Sequence, residues 1–361
     1  MNTSWFLKSK RAFLICVVLF EATNCSSDKA FEDEALPILD IAAVNCNSAS
    51  AACIYNLTLK DNLNQSTTVK YYSNYNFTSN NRYNPSDIKQ LVVVIHGTNR
   101  NAGDYFNFIM SSIIKSDLSE STLVISPLLT NKIEANIDNL YWENNEWRSG
   151  ANSSNPNSNV SSFTVIDQII QQIEGTNQFL NLNTILVIGH SSGAAFVQLY
   201  ALVNEIETKL QTINFNYAIA NNQYYFYPTD QRYDELNKRY YIPSSCSNFN
   251  AWPYGYDQIP DYLKNTNKET ITQNQVRRNT TYLIGTNNVL TSGTLNTQDC
   301  AAVLLGSNRF NRGLNIYNYM QHFFPEINQH QKINIEGVGH NASEMFNSPA
   351  FQSYLLNLFN K

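Results

Sequence analysis

The run Thr184-Ile185-Leu186-Val187-Ile188-Gly189-His190-Ser191-Ser192-Gly193-Ala194-Ala195 constrains this chain more than any other stretch. A short segment of β-branched and aliphatic residues stops at one glycine, and a second glycine opens a helical pattern. The spacing predicts strand, sharp turn and helix, with Ser191 at the apex. Glycines two residues either side of the serine let strand and helix approach without a Cβ clash. A helix start leaves backbone N–H groups unpaired, so the Ser192 N–H is free to face a group held above the serine.

The remaining periodicities place this unit in a layered α/β sheet. Cys53–Leu59 and Thr67–Tyr72 alternate and are separated by Asn, Ser and Gln, which predicts an N-terminal pair of antiparallel strands. Leu91–Ile95 and Thr122–Ser126 are continuous apolar strands, the pattern of a sheet covered on both faces. Further strands are expected over Asn216–Ala220, Thr281–Gly285 and Ile333–Gly337. Helical spacing marks Tyr105–Ile114, Ser162–Ile173, Ala194–Lys209, Ala301–Gly306, Arg312–Phe323 and Ala350–Phe359. Between Asn221 and Asn267 lies a long aromatic segment, read as a lid-like insertion beside the carboxyl ends of the strands. Strands alternating with helices predict one mostly parallel domain over residues 41–361.

Composition narrows the setting. The 361 residues are 43% hydrophobic and 12% aromatic, enough for a globular core. A net charge of −5 lacks the basic footprint of a nucleic-acid binder. Residues 1–25 carry Lys8, Lys10 and Arg11 ahead of an apolar run from Ala12 to Phe20. That run is short of the roughly 20 residues that span a bilayer, so it reads as an export signal. Cys25 follows it, in the manner of a bacterial lipoprotein signal with a loose box at Ala22-Thr23-Asn24, which makes Cys25 a candidate lipid anchor. Residues 26–40 then form a tether, and a secreted, periplasmic or outer-surface location is expected. Cys46, Cys53, Cys246 and Cys300 remain as an even set, which implies two disulfides in an exported chain. Local closure favours Cys46–Cys53 with Cys246–Cys300, though three connectivities are open in principle.

A serine hydroxyl needs a base before it attacks, and only five histidines are present. His96 and His190 sit inside turn motifs, and His322 and His330 lie on a helix and the polar segment after it. His340, in Gly337-Val338-Gly339-His340-Asn341, sits on a glycine-flexed loop off a strand end and is the predicted base. The acid that orients it is expected after Thr281–Gly285. Asn287 and Asn288 occupy the nearest places there, and the first carboxylate beyond them is Asp299. Asp299 is therefore the expected acid, with Asn288 as a weaker orienting group. A second amide donor, from Gly97 or Thr98, is expected in His96-Gly97-Thr98 to complete an oxyanion hole with Ser192. The turn is braced by Asn99-Arg100. Tyr141, Trp142, Trp252 and Tyr254 are the candidate substrate-binding aromatics.

Val92–Arg100, Gly189–Ala195, Tyr282–Gly285 and Gly337–His340 together make residues 85 onward resemble the α/β-hydrolase superfamily. His96-Gly97-Thr98-Asn99-Arg100-Asn101-Ala102, Trp252-x-Tyr254-Gly255, Asp299-Cys300-Ala301-Ala302 and Gly306-Ser307-Asn308-Arg309 narrow that to an exported group similar to esterases and polyester depolymerases. The resemblance implies cleavage of small or polymeric carboxylic esters through an acyl-enzyme, by Ser191, His340 and Asp299, without a cofactor. Cys46 and Cys53 are too far apart for a zinc half-site, and no His-Glu-x-x-His helix occurs, so no metal is expected. A catalytically silent surface binding protein and a serine peptidase on the same scaffold are the alternatives.

Overall fold

The computed structural model describes residues 46–77, 85–132, 139–156, 158–263, 266–293 and 297–360. These fall within one compact unit, Ala43–Lys361. The expected export signal, tether and Cys25 anchor lie outside the described residues. No helix among the described residues is long and apolar enough to cross a membrane.

The chain begins with β1 (Ile54–Lys60) and β2 (Ser66–Ser73), then β3 (Gln90–Ile95), α1 (Ala102–Lys115) and β4 (Thr122–Pro127). There follow α2 (Ser162–Gly175), β5 (Thr184–His190), α3 (Ser192–Val203), α4 (Ile206–Lys209) and β6 (Asn214–Ala220). The hairpin β7 (Arg232–Asp234) and β8 (Arg239–Tyr241) precedes α5 (Lys268–Arg277), β9 (Asn279–Gly285), α6 (Cys300–Val303) and α7 (Arg309–Phe323). The chain closes with β10 (His330–Ile335), α8 (Ala342–Phe346) and α9 (Pro349–Phe359). Eight strands form one sheet in the order β1-β2-β4-β3-β5-β6-β9-β10. β1 with β2 and β2 with β4 pair antiparallel, and every other pairing is parallel. The N-terminal antiparallel extension and the mostly parallel sheet are as the sequence predicts.

The unbroken apolar strands are explained by the two cores. In β3, Leu91, Val93 and Ile95 enter one cluster with α2 and α3, while Val92 and Val94 enter the other with α1 and α9. β5 splits in the same way, with Ile185 and Val187 on one side and Leu186 and Ile188 on the other. Alternate residues point to opposite faces, so a strand covered on both must be apolar throughout. α3 is buried along its whole length, which accounts for its lack of a polar face.

Four elements differ from expectation. The helix predicted over Ala194–Lys209 breaks at Asn204, whose backbone turns extended (ψ 145). Its side-chain amide donates to the Tyr200 carbonyl at 2.8 Å and to the Tyr217 hydroxyl at 2.9 Å, and its own carbonyl accepts from Arg278 at 2.7 Å. Side-chain bonds of this kind compete with the helix ladder. The helices α5 and α8 were not expected, being short and weakly patterned. Within the 221–267 insertion, Tyr224, Tyr225, Phe226 and Tyr227 belong to the core. Tyr225 meets Tyr282 at 5.6 Å and Tyr227 meets Tyr319 at 4.8 Å between ring centres. Its later part, around Trp252 and Tyr254, borders an open hollow together with Gln223 and Tyr224.

Both disulfides are formed as paired from the sequence, Cys46–Cys53 and Cys246–Cys300, with Cα separations of 5.5 and 6.0 Å. The second ties the insertion to the segment opening α6. Cross-links of this kind stabilise by restricting the unfolded chain, more so for the longer loop.

Candidate active site

Ser191 stands where β5 gives way to α3, with φ 60 and ψ −118. This is a costly backbone for a non-glycine residue, held only where the surroundings over-determine it. The surroundings here are backbone. A Cβ on Gly189 would lie 2.3 Å from the carbonyl group of Gly193, and one on Gly193 would lie 2.2 Å from the Ile95 carbonyl oxygen at the end of β3. Both glycines are thus required by the close passage of α3 over the strand ends. The Ser191 N–H donates to the Ala220 carbonyl of β6 at 3.0 Å, which fixes the turn from the other side.

His340 reaches this serine from the far edge of the sheet. Its Nε2 lies 3.0 Å from the Ser191 Oγ, although the two residues are 149 positions apart. Asn341 begins α8 by accepting from the Glu344 N–H at 3.2 Å while its amide donates to the Glu344 carboxylate at 3.1 Å, a reciprocal cap that fixes the backbone next to His340. On the other side, Asn221 at the end of β6 ties two loops together. Its Oδ1 accepts from the Gly285 N–H at 2.9 Å, and its Nδ2 donates to the Gly339 carbonyl at 2.8 Å. Asn221 was not singled out from the sequence. Its signals are a polar residue directly after a buried strand and a left-handed backbone, φ 49, of which only the first is legible in sequence.

The group beside His340 Nδ1 is Asn288, with the amide nitrogen 3.3 Å away, and Asn288 is buried. Asp299 is elsewhere. It is exposed, opens α6, and borders a different hollow with Trp252 and Tyr254. No hydrogen bond joins it to His340 among the described residues. The carboxylate expected from the loop after β9 is therefore replaced at the ring by an amide. The difference is chemical: a carboxylate only accepts and forces the proton onto Nδ1, leaving Nε2 to take a proton from serine. An amide supports either tautomer. With Oδ1 toward the ring it accepts from Nδ1–H; with Nδ2 toward the ring it donates to Nδ1, and Nε2 then carries the proton.

Electrostatics favour neutral imidazoles. Burial, and then the nearby Arg309 guanidinium, push His340 down to about 3. Burial also holds His190 well below its usual value, with His340 and Arg309 adding to the effect. The two rings lie 4.7 Å apart. Arg309 is itself lowered to about 9 by burial and then by Arg312, and its Nη1 donates to the Asn221 carbonyl at 3.2 Å.

The turn after β3 borders the same cleft as Ser191 and His340. His96 is buried and pushed down to about 4. Its Nε2 accepts from the Leu129 N–H at 3.2 Å, so Nδ1 carries the proton and donates to the Gly97 carbonyl at 2.8 Å. Burial pushes the nearby Tyr105 phenol up, and its hydroxyl lies 3.5 Å from His190 Nδ1. Arg100 braces the turn as expected, donating to the carbonyls of Leu129, Thr130 and Asn144 at 2.9, 2.7 and 2.7 Å. Gly97, Thr98, Ser191 and His340 line one cleft of about 540 Å³. A second hollow of about 440 Å³ includes Trp252, Tyr254 and Tyr224. Of the other aromatics, Trp142 is buried with its Nε1 donating to the Ala151 carbonyl at 2.9 Å, and Tyr141 is also buried. Neither lines the cleft or the second hollow, and Trp142 packs into the core. No group of three or more metal-ligating side chains occurs among the described residues.

No family model matches the sequence, and no curated protein matches it. Solved structures do. A poly(3-hydroxybutyrate) depolymerase from Bordetella parapertussis is 19% identical, with a TM-score of 0.57 over 85% of this chain and 90% of that one. Poly(aspartic acid) hydrolase-1 from Sphingomonas sp. KT-1 is 16% identical, with a TM-score of 0.55 over 85% of this chain and 98% of that one. The chain has the α/β-hydrolase fold.

Proposed function

We propose that the protein is an exported serine hydrolase that cleaves carboxylic esters through an acyl-enzyme. The reading is carried by one observation: the 3.0 Å approach of His340 Nε2 to Ser191 Oγ across 149 residues of sequence. With Nδ1 protonated, Nε2 takes the hydroxyl proton as Oγ attacks the ester carbonyl. The imidazolium then passes the proton to the departing alcohol, and water repeats the sequence to release the acid. Asn288 takes the orienting place intended for an acid, and Asp299 has no part in the chemistry. For the oxyanion, the Ser192 N–H at the start of α3 is one donor. The other is the Thr98 N–H: the Gly97 carbonyl is held on His96, and a trans peptide points the next N–H the opposite way.

Two disulfides support an oxidising compartment, in keeping with export and with a Cys25 anchor. Likeness to a poly(3-hydroxybutyrate) depolymerase and a poly(aspartic acid) hydrolase supports polymers as well as small esters as substrates. The test is a fluorophosphonate probe followed by peptide mapping, with turnover of a chromogenic ester in parallel. An adduct on Ser191 and turnover that vanishes in Ser191→Ala are expected. The second reading, a silent binding protein, is favoured by the amide at position 288, and it predicts neither adduct nor turnover.

A further inference from the structure

We propose that the 440 Å³ hollow is an acyl subsite for a short chain ending in a carboxylate, which Arg148 reads. The proposal rests on the hydrolase reading of Ser191. Arg148, which borders the hollow, donates from Nη1 to the Ser192 Oγ at 3.5 Å, and Ser192 follows Ser191 directly in the chain. That contact is long and uses one of the five donors of the guanidinium. The same guanidinium lies 5.8 Å over the ring of buried Tyr224, which holds it in place without neutralising it. Arg148 forms no ion pair among the described residues.

The walls fit the same occupant. Tyr224, Trp252 and Tyr254 supply apolar faces, and Trp252 is anchored by its Nε1 donating to the Ser149 carbonyl at 3.1 Å. Two carboxylates also border the hollow, Glu146 and Asp299, and both are exposed. Glu146 accepts from the Asn144 side-chain amide at 2.9 Å. The hollow thus pairs one half-buried cation, held against Ser192, with two exposed anions. Exposed rim charges are screened by solvent, whereas a half-buried guanidinium is less so. Behind the floor, buried Arg312 donates to the carbonyls of Gln223 and Thr297, two residues that line the hollow, at 2.7 and 2.9 Å. An acyl chain carrying one terminal carboxylate would place that group on Arg148 with its methylenes on the aromatics. A chain with further negative charge would meet the rim acids.

The test uses a matched pair of substrates, 4-nitrophenyl hydrogen adipate and 4-nitrophenyl methyl adipate, which differ only in whether the far carboxyl is charged. The wild type should prefer the charged ester in kcat/KM by about tenfold or more, as a charge-assisted bidentate contact implies. The preference should shrink with added salt, fall to about one in Arg148→Met, and persist in part in Arg148→Lys. Because the readout is a ratio within one protein, a partly misfolded variant does not mimic the effect. A ratio at or below one in the wild type, or one that survives Arg148→Met, overturns the proposal. Should the wild type turn over neither ester, the hydrolase reading fails, and calorimetric titration with adipate then decides this site alone. Binding lost in Arg148→Met upholds it, and no binding to the wild type overturns it.

Discussion

The loops leaving β5 and β9 do comparable work under different rules. After β5, the Gly189–Gly193 turn is dictated by backbone packing: Ser191 takes φ 60, and any Cβ at Gly193 would collide with the Ile95 carbonyl. After β9, the backbone leads a side chain to His340 Nδ1, but nothing in that backbone decides whether the side chain ends in a carboxylate or an amide. Asn288 is what arrives there, across 52 positions of sequence. The contrast teaches that the place of Ser191 is enforced by sterics, whereas the side chain beside His340 is not.

The largest test of that contrast is Ser191→Ala, which should lower kcat on a chromogenic ester by about four to six orders of magnitude. Residual turnover close to wild type would remove the elbow from the mechanism altogether. Next, Gly193→Val should cost about 3 kcal/mol or more of stability, read as the urea midpoint, because the β3 backbone cannot retreat from the added atoms. A tolerated valine would mean that sterics do not fix the turn.

At the β9 loop, the decisive change is a gain. Asn288→Asp supplies the acceptor that fixes one tautomer and should raise kcat/KM by about tenfold or more, the reverse of the loss seen when a triad acid becomes an amide. The charge beside Nδ1 should also lift the acid limb of the pH–rate profile. In the wild type His340 is held down to about 3, so the base stays neutral and the limb lies well below the usual histidine range. An Asn288→Asp variant that is slower than wild type, with an unmoved limb, would separate Asn288 from the histidine's function. By contrast, Asp299→Asn should alter kcat/KM on a neutral ester by no more than about twofold, as exposed substitutions do. A large loss there would mean that its carboxylate reaches His340 by a movement, and the contrast between the two loops would dissolve.

The smallest effect concerns stability. Burial lowers both His96 and His330 to about 4. Below the unfolded value near 6.5 the unfolded chain binds protons that the folded chain refuses. Their contribution is therefore fully present above about pH 6.5 and is lost progressively as pH falls toward 4. Asp167 acts in the opposite sense, since burial raises its carboxyl and the folded state takes up its proton first. Thermal melts across this window should show a falling Tm, and a flat profile would mean that the buried histidines do not govern acid stability.

What could be read ahead of the structure follows the same division. The strand runs, the Gly-x-Ser-x-Gly spacing, the order that selects His340 and both cysteine pairings are local patterns or eliminations among few candidates. Asp299 was the natural choice because no other carboxylate follows β9 closely, yet it lies at the rim of another hollow. Trp142 carries the composition of a binding residue and is in the core, its indole N–H satisfied by the Ala151 carbonyl. Burial of an aromatic depends on what covers it, and sequence does not state that.

By itself, the sequence determined which backbone could form: residues fitted to a strained turn and to strands covered on both faces, because sterics and hydrophobic burial act on neighbours along the chain. Only the tertiary structure decided what His340 faces, that Asn221 clasps its loop, and that Arg148 stands beside Ser192. Those juxtapositions join residues far apart in sequence, and their energies arise from contact distance and shared burial, which exist only once the chain has folded.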